Sequence, residues 1–162
     1  MPNLFPSDVG VTQIRGFVKI VREHGGAMEM AQLAEETEED LDSMLPIIKS
    51  LKMLGLVITK KDLIVLTTDA DKAKAGIHQY IAIKLQGIEP FKSIFQILRI
   101  SQMHTMTTDA IMYSLEGKGI RLDGPGTAGK DNLKRMLLHW CIRSKLLKYN
   151  AKEDAWTLVR TD

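Results

Sequence analysis

Apolar residues recur at helical spacing through Val11, Ile14, Phe17, Val18 and Val21 and stop at Gly25-Gly26, which predicts a first helix closed by glycine. Met28, Met30, Leu33 and Ala34 predict a short second helix. Thr37, followed three residues later by Asp40, resembles a capping box for a third. That third helix would carry Leu41, Met44, Leu45, Ile48 and Leu51 on one face, bend at Pro46 and end at Gly55. Leu56-Val57-Ile58 and Leu63-Ile64-Val65-Leu66 then predict two strands joined by the turn Thr59-Lys60-Lys61-Asp62. Three helices followed by a hairpin are the elements of a winged helix-turn-helix.

Thr67-Thr68-Asp69 offers cap side chains to a long connecting helix with Ile77, Tyr80, Ile81 and Leu85, ending near Gly87. The pattern then repeats. Pro90 sits at a helix start, and Phe91, Ile94, Phe95 and Leu98 follow the spacing of the first helix. Thr108-Asp109 to Glu116 is a short helix with Ile111, Met112 and Leu115, and Asp131 to Leu147 a long one. Leu147 to Asn150 and Ala155 to Arg160 make a second hairpin, closed by Ala151-Lys152-Glu153-Asp154. The second unit is longer, and the excess falls in the Gly-rich stretch Gly117 to Gly129, where insertion costs little loop entropy. The expected fold is mainly α with small β-hairpins, an α+β chain of tandem winged helix-turn-helix units joined by a long helix. Residues 1–68 form the first unit, 69–87 the connecting helix and 88–162 the second unit.

A chain of 162 residues with 44% apolar and 26% charged residues has the composition of one domain or two small ones able to bury a core. The single Cys141 forms no internal disulfide, no basic leader precedes an apolar run, and no run reaches the roughly 18 residues of a membrane span. The expected location is cytoplasmic, without membrane insertion.

The residues Gly25-Gly26, Leu33-Ala34, Asp42 to Pro46, Leu54-Gly55 and Leu66-Thr67, and later Trp140, Arg143, Leu147 and Tyr149-Asn150, carry a family likeness. In their order and spacing the chain resembles the AAA-associated domain found at the C-terminus of ATPase subunits of nitrate, sulfonate and taurine type ABC transporters. The resemblance implies a non-catalytic appendage working beside a nucleotidase. The ATPase itself is absent from this sequence, so a regulatory role would be exercised in trans or toward something else, and Cys141 stands where the family has a Gly after the Trp.

Candidate chemistry narrows the classes further. Gly124-Pro-Gly-Thr-Ala-Gly129-Lys130 follows the phosphate-cradling loop pattern up to its Lys, but Asp131 replaces the Mg²⁺-binding hydroxyl. Only 32 residues follow Lys130, too few for a nucleotide fold. His24, His78, His104 and His139 have no metal-ligand spacing, no nucleophile signature occurs, and Cys141 lies among Leu and Met as an inert thiol. No catalytic residue, metal, cofactor or small-molecule substrate is expected.

The net charge of +2 argues for no particular partner, but its distribution does. Residues 1–76 hold 9 basic against 12 acidic residues, net −3, and Glu35 to Asp42 places six carboxylates where a DNA-reading third helix would meet phosphates. Residues 77–162 hold 13 basic against 8 acidic, net +5. On the long helix there, Leu133, Met136, Leu137, Trp140, Ser144 and Leu147 form the core stripe, while Leu138, Ile142 and Leu146 form a second apolar row flanked by Lys134, Arg135 and Lys145. Packing inside the chain is the plainest use of that row. Its functional use is a protein interface: a partner protein or a second copy of the chain. The alternative is a DNA-binding regulator that contacts phosphates through Lys130, Lys134, Arg135 and Lys145.

Overall fold

The computed structural model describes residues 4–122 and 128–159. It is a mixed α/β chain with two small antiparallel sheets of three strands each, in two compact units. One unit spans Val9–Tyr80, and the other combines Ile81–Asp162 with the N-terminal segment Met1–Asp8.

In the Val9–Tyr80 unit, helix α1 (Val11–Glu23) buries Val11, Ile14, Phe17, Val18 and Val21, the five residues its periodicity picks out. It closes through Gly25 at φ 81°, with the Gly25 N–H donating to the Arg22 carbonyl and the Gly26 N–H to that of Val21. That left-handed step strains any residue with a Cβ. Ala27–Glu29 forms a strand, β1, and helix α2 begins only at Met30 and runs to Thr37. Helical spacing assigned Met28 to α2. Three residues are too few to show period two, and β1 exists through its pairing with the distant β3.

Helix α3 (Leu41–Met53) is capped by Asp40, whose Oδ1 accepts from the Ser43 N–H at 2.7 Å. Thr37 is no part of that cap: it ends α2, and its hydroxyl donates to the Leu33 carbonyl at 2.7 Å. Met44, Ile48 and Leu51 are buried together with Ile47 and Ser50, but Leu41 and Leu45 stand outside the buried stripe at 54% and 57% exposure. The turn predicted over Thr59 to Asp62 is tighter than expected. Strands β2 (Val57–Lys60) and β3 (Leu63–Leu66) leave only Lys61 and Asp62 between them, with Lys61 at φ 57°. The sheet order is β1-β3-β2.

The connecting segment is two helices rather than one long one, α4 (Thr68–Ala73) and α5 (Ile77–Leu85), interrupted at residues 74–76, where Gly76 lowers helix propensity. α5 contributes to both units.

The second unit repeats the order of elements. Helix α6 (Phe91–Ile100) buries Phe91, Ile94, Phe95 and Leu98 as its spacing requires, and a short 3-10 turn (Gln102–His104) leads to strand β4 (Thr105–Thr107). Helix α7 (Thr108–Gly117) is capped by the Thr107 hydroxyl, which accepts from the Ala110 N–H at 3.1 Å. Helix α8 (Gly129–Met136) passes into a π-helical stretch, Leu137–Ile142, followed by β5 (Leu147–Asn150) and β6 (Ala155–Leu158). The Arg160 end of the expected last strand lies outside the described residues. The sheet order is β4-β6-β5, the same as in the first unit, and β4, like β1, is a three-residue strand that the pattern does not announce. Between the second and third helices lie residues 38–40 in one unit and 118–128 in the other, so the longer connection is where the Gly-rich stretch predicts it. The N-terminal segment supplies Phe5 to this core. Its N–H donates to the Glu89 carbonyl at 2.8 Å, and its ring meets Phe91 and Trp140 edge-on at 5.6 and 4.7 Å.

Candidate interaction surface

The helix that carries most of the candidate residues is not a uniform α-helix. Along α3 and its C-cap the buried positions are 44, 47, 48, 50, 51 and 54; in the second unit, after the buried Gly129 and Asn132, they are 133, 136, 137, 140, 141 and 144. The two series match step for step, except that the second is one residue longer between Leu137 and Trp140. The π-helical turn Leu137–Ile142 sits there and absorbs that residue. One consequence follows. Cys141, which 100° spacing leaves off the core stripe, is fully buried, and burial pushes its thiol pKa up, so it is an inert core side chain. Leu138, at the position that the exposed Lys49 holds in α3, is 42% exposed.

The rest of the second apolar row is arranged differently from the expectation of one long helix. The helix ends after Ile142: Lys145 adopts φ 60°, the Lys145 N–H donates to the Ile142 carbonyl and the Leu146 N–H to the Cys141 carbonyl at 2.9 Å. This is a left-handed helix stop like that at Gly55 (φ 74°), where the Gly55 and Leu56 N–H groups bond Lys52 and Leu51 in the same pattern. Leu146 therefore follows the helix instead of lying on it. Ile142 and Leu146 are half-buried and Leu138 is exposed, with His139, Arg143 and Lys145 exposed around them.

The four candidate DNA contacts do not form one free cationic face. Lys130 Nζ lies 3.0 Å from Asp109 Oδ1 and 3.5 Å from Asp154 Oδ2, and Lys134 Nζ lies 3.5 Å from Asp154 Oδ1. Arg135 reaches Asp8 at 3.4 Å. Only Lys145 has no ion pair among the described residues.

Asp154 is the hub that sequence reasoning missed. It sits in the β5–β6 turn at φ 49°, and its Oδ1 accepts the Tyr149 hydroxyl at 2.6 Å and the Thr108 hydroxyl at 2.8 Å. The Thr108 oxygen in turn accepts from the indole N–H of the buried Trp156 at 2.9 Å, and the Tyr149 ring lies against Trp156 at 4.3 Å. Hydrogen bonds from Tyr149 and Thr108, aided by Lys134 and Lys130, hold the Asp154 carboxyl at a pKa of about 2. The same carboxylates raise Lys130, and contact with Tyr149 and Asp154 raises Lys134. The cluster ties β5, β6, α7 and α8 together. The only signal for it in the sequence is a turn Asp opposite two Lys four residues apart.

Of the Gly-rich segment, residues 124–127 lie outside the described residues; Gly129 and Lys130 open α8. Among the described residues no three His, Cys, Asp or Glu side chains gather as a metal site would need, and no helix is long and apolar enough to cross a membrane.

These units define a mixed α/β protein with a repeated helix-and-sheet plan. The chain belongs to the C-terminal AAA-associated domain family, whose model matches residues 31–150, about three quarters of its length. That family is associated with ATPases of ABC transporters. The match opens in α2 and closes at the last residue of β5, leaving α1, β1 and β6 outside it. No curated protein and no solved structure matches the chain significantly.

Proposed function

We propose that this protein is a non-enzymatic interaction and regulatory module for an ABC transporter ATPase, built from two winged helix-turn-helix units in tandem. Membership of the AAA-associated family over residues 31–150 carries the reading. The order helix, strand, helix, helix, strand, strand in both units, with the third strand central in each sheet, supports the winged-helix description. The interface comprises Leu138 and Ile142 on the π-helical turn and Leu146 just after it, with the exposed Arg143 and Lys145 as basic neighbours in sequence. A large exposed aliphatic flanked by cations suits a protein surface with an apolar centre and acidic edge.

The DNA-binding reading is weaker, because three of its four cations already face carboxylates of their own unit. Docking on phosphates would require breaking those pairs.

The test is light scattering on a size-exclusion column with circular dichroism. Wild type is expected to elute as an oligomer, and Leu138→Asp and Ile142→Asp as folded, smaller species, because an unpaired carboxylate in an apolar contact costs several kcal/mol, roughly. A folded variant of unchanged mass removes this face from the interface, and a monomeric wild type removes self-association.

A further inference from the structure

A groove in the Val9–Tyr80 unit has a charge pattern that this acidic unit does not otherwise show. It encloses about 430 Å³ between α1 and the α4–α5 segment. Its edges are Arg15, Lys19 and Arg22 from α1 and Lys74 from beyond α4, and no acidic residue lines it. Four of the nine basic residues among the first 76 therefore meet at one groove, within a stretch of net charge −3. None of the four forms an ion pair among the described residues, although twelve carboxylates occur in the same stretch. Its floor is apolar, with Val18, Leu56, Ala70, Ala73 and Ile77.

Arg22 adds an independent observation. Its Nη2 donates to the Ala70 carbonyl at 3.0 Å, which aims the guanidinium across the groove. Its Nε is shielded from solvent and donates to no acceptor. A buried guanidinium N–H without an acceptor costs free energy, so Arg22 is held at this groove without a full set of partners of its own. Gly16 stands on the same helix face between Arg15 and Lys19, and a Cβ there would meet nothing within 4 Å, so the groove mouth is open beside the cations.

From this geometry we infer that the groove binds a small organic phosphate, an apolar or aromatic body carrying a phosphate monoester dianion. Two guanidinium groups and two ammonium groups offer N–H donors and an excess of positive charge to a dianion, and the apolar floor takes the attached body. The volume suits a small ligand. α1, which holds three of the four cations, lies outside the segment that matches the family, and the groove's residues belong to the Val9–Tyr80 unit whereas Leu138 belongs to the other.

The test is a two-dimensional amide NMR titration of the full chain with phenyl phosphate, inorganic phosphate and benzyl alcohol. Phenyl phosphate is expected to give saturable shifts confined to Thr12–Arg22 and Ala70–Ile77, and to bind several-fold tighter than inorganic phosphate. Benzyl alcohol gives none of comparable strength. The double variant Arg15→Gln/Lys19→Gln should weaken binding by roughly tenfold or more. Gly16→Leu, which improves helix propensity and leaves every charge in place, should block the mouth and weaken binding as well. Circular dichroism verifies that both variants fold. Equal binding of benzyl alcohol, phenyl phosphate affinity indifferent to both variants, or association with anionic vesicles without phenyl phosphate binding would each overturn the assignment.

Discussion

Asp154→Asn removes one charge from the cluster that joins the β5–β6 turn to α7 and α8, while leaving an oxygen able to accept from Tyr149 and Thr108. The wild-type carboxyl has a pKa of about 2, against about 3.9 in an unfolded chain. The difference corresponds to at most about 2.5 kcal/mol of stability at neutral pH. Some 30% of the side chain is open to solvent, so screening reduces the expected loss to about 1–2 kcal/mol. Because the folded pKa is depressed, this stabilisation is complete above the unfolded value and disappears as pH falls through about 4 to about 2. Urea unfolding of wild type and Asp154→Asn at steps from pH 7 to pH 2 measures it. The two curves should differ by about 1–2 kcal/mol at pH 7 and converge near pH 2. A gap that persists unchanged at pH 2, or no gap at pH 7, would show that the charge on Asp154 contributes nothing and that the short contacts act only as neutral hydrogen bonds.

Two further outcomes follow from the helix end and the core. Lys145→Gly relieves a left-handed residue at φ 60°, where the first unit already has Gly55, and should raise stability by about 0.5–1 kcal/mol in the same urea assay. Cys141 should not react with a soluble aromatic disulfide in the native protein and should react fully in denaturant; fast native labelling would contradict its burial.

The local pattern by itself determined most of the helical framework. The buried faces of α1 and α6, the glycine stop after α1 and the strands of both hairpins follow from residues close in sequence, where spacing, capping and turn chemistry act alone. The repeat and the place of its extra length were legible for the same reason.

Long-range partners decided the rest. Strands β1 and β4 hold only three residues each and exist because β3 and β6 offer edges to pair with, so no local pattern announces them. The π-helical turn depends on the second unit's core, which must receive Trp140 and Cys141 one position later than α3 delivers its own residues, and it is this shift that buries Cys141. Leu41 and Leu45 match an apolar face in sequence, yet the core reaches only Met44, Ile47 and Ile48 beside them. The Asp154 hub and the four-cation groove join residues up to some 45 to 60 positions apart, and charge counts along the chain reveal neither, because electrostatic partners are chosen by distance in space.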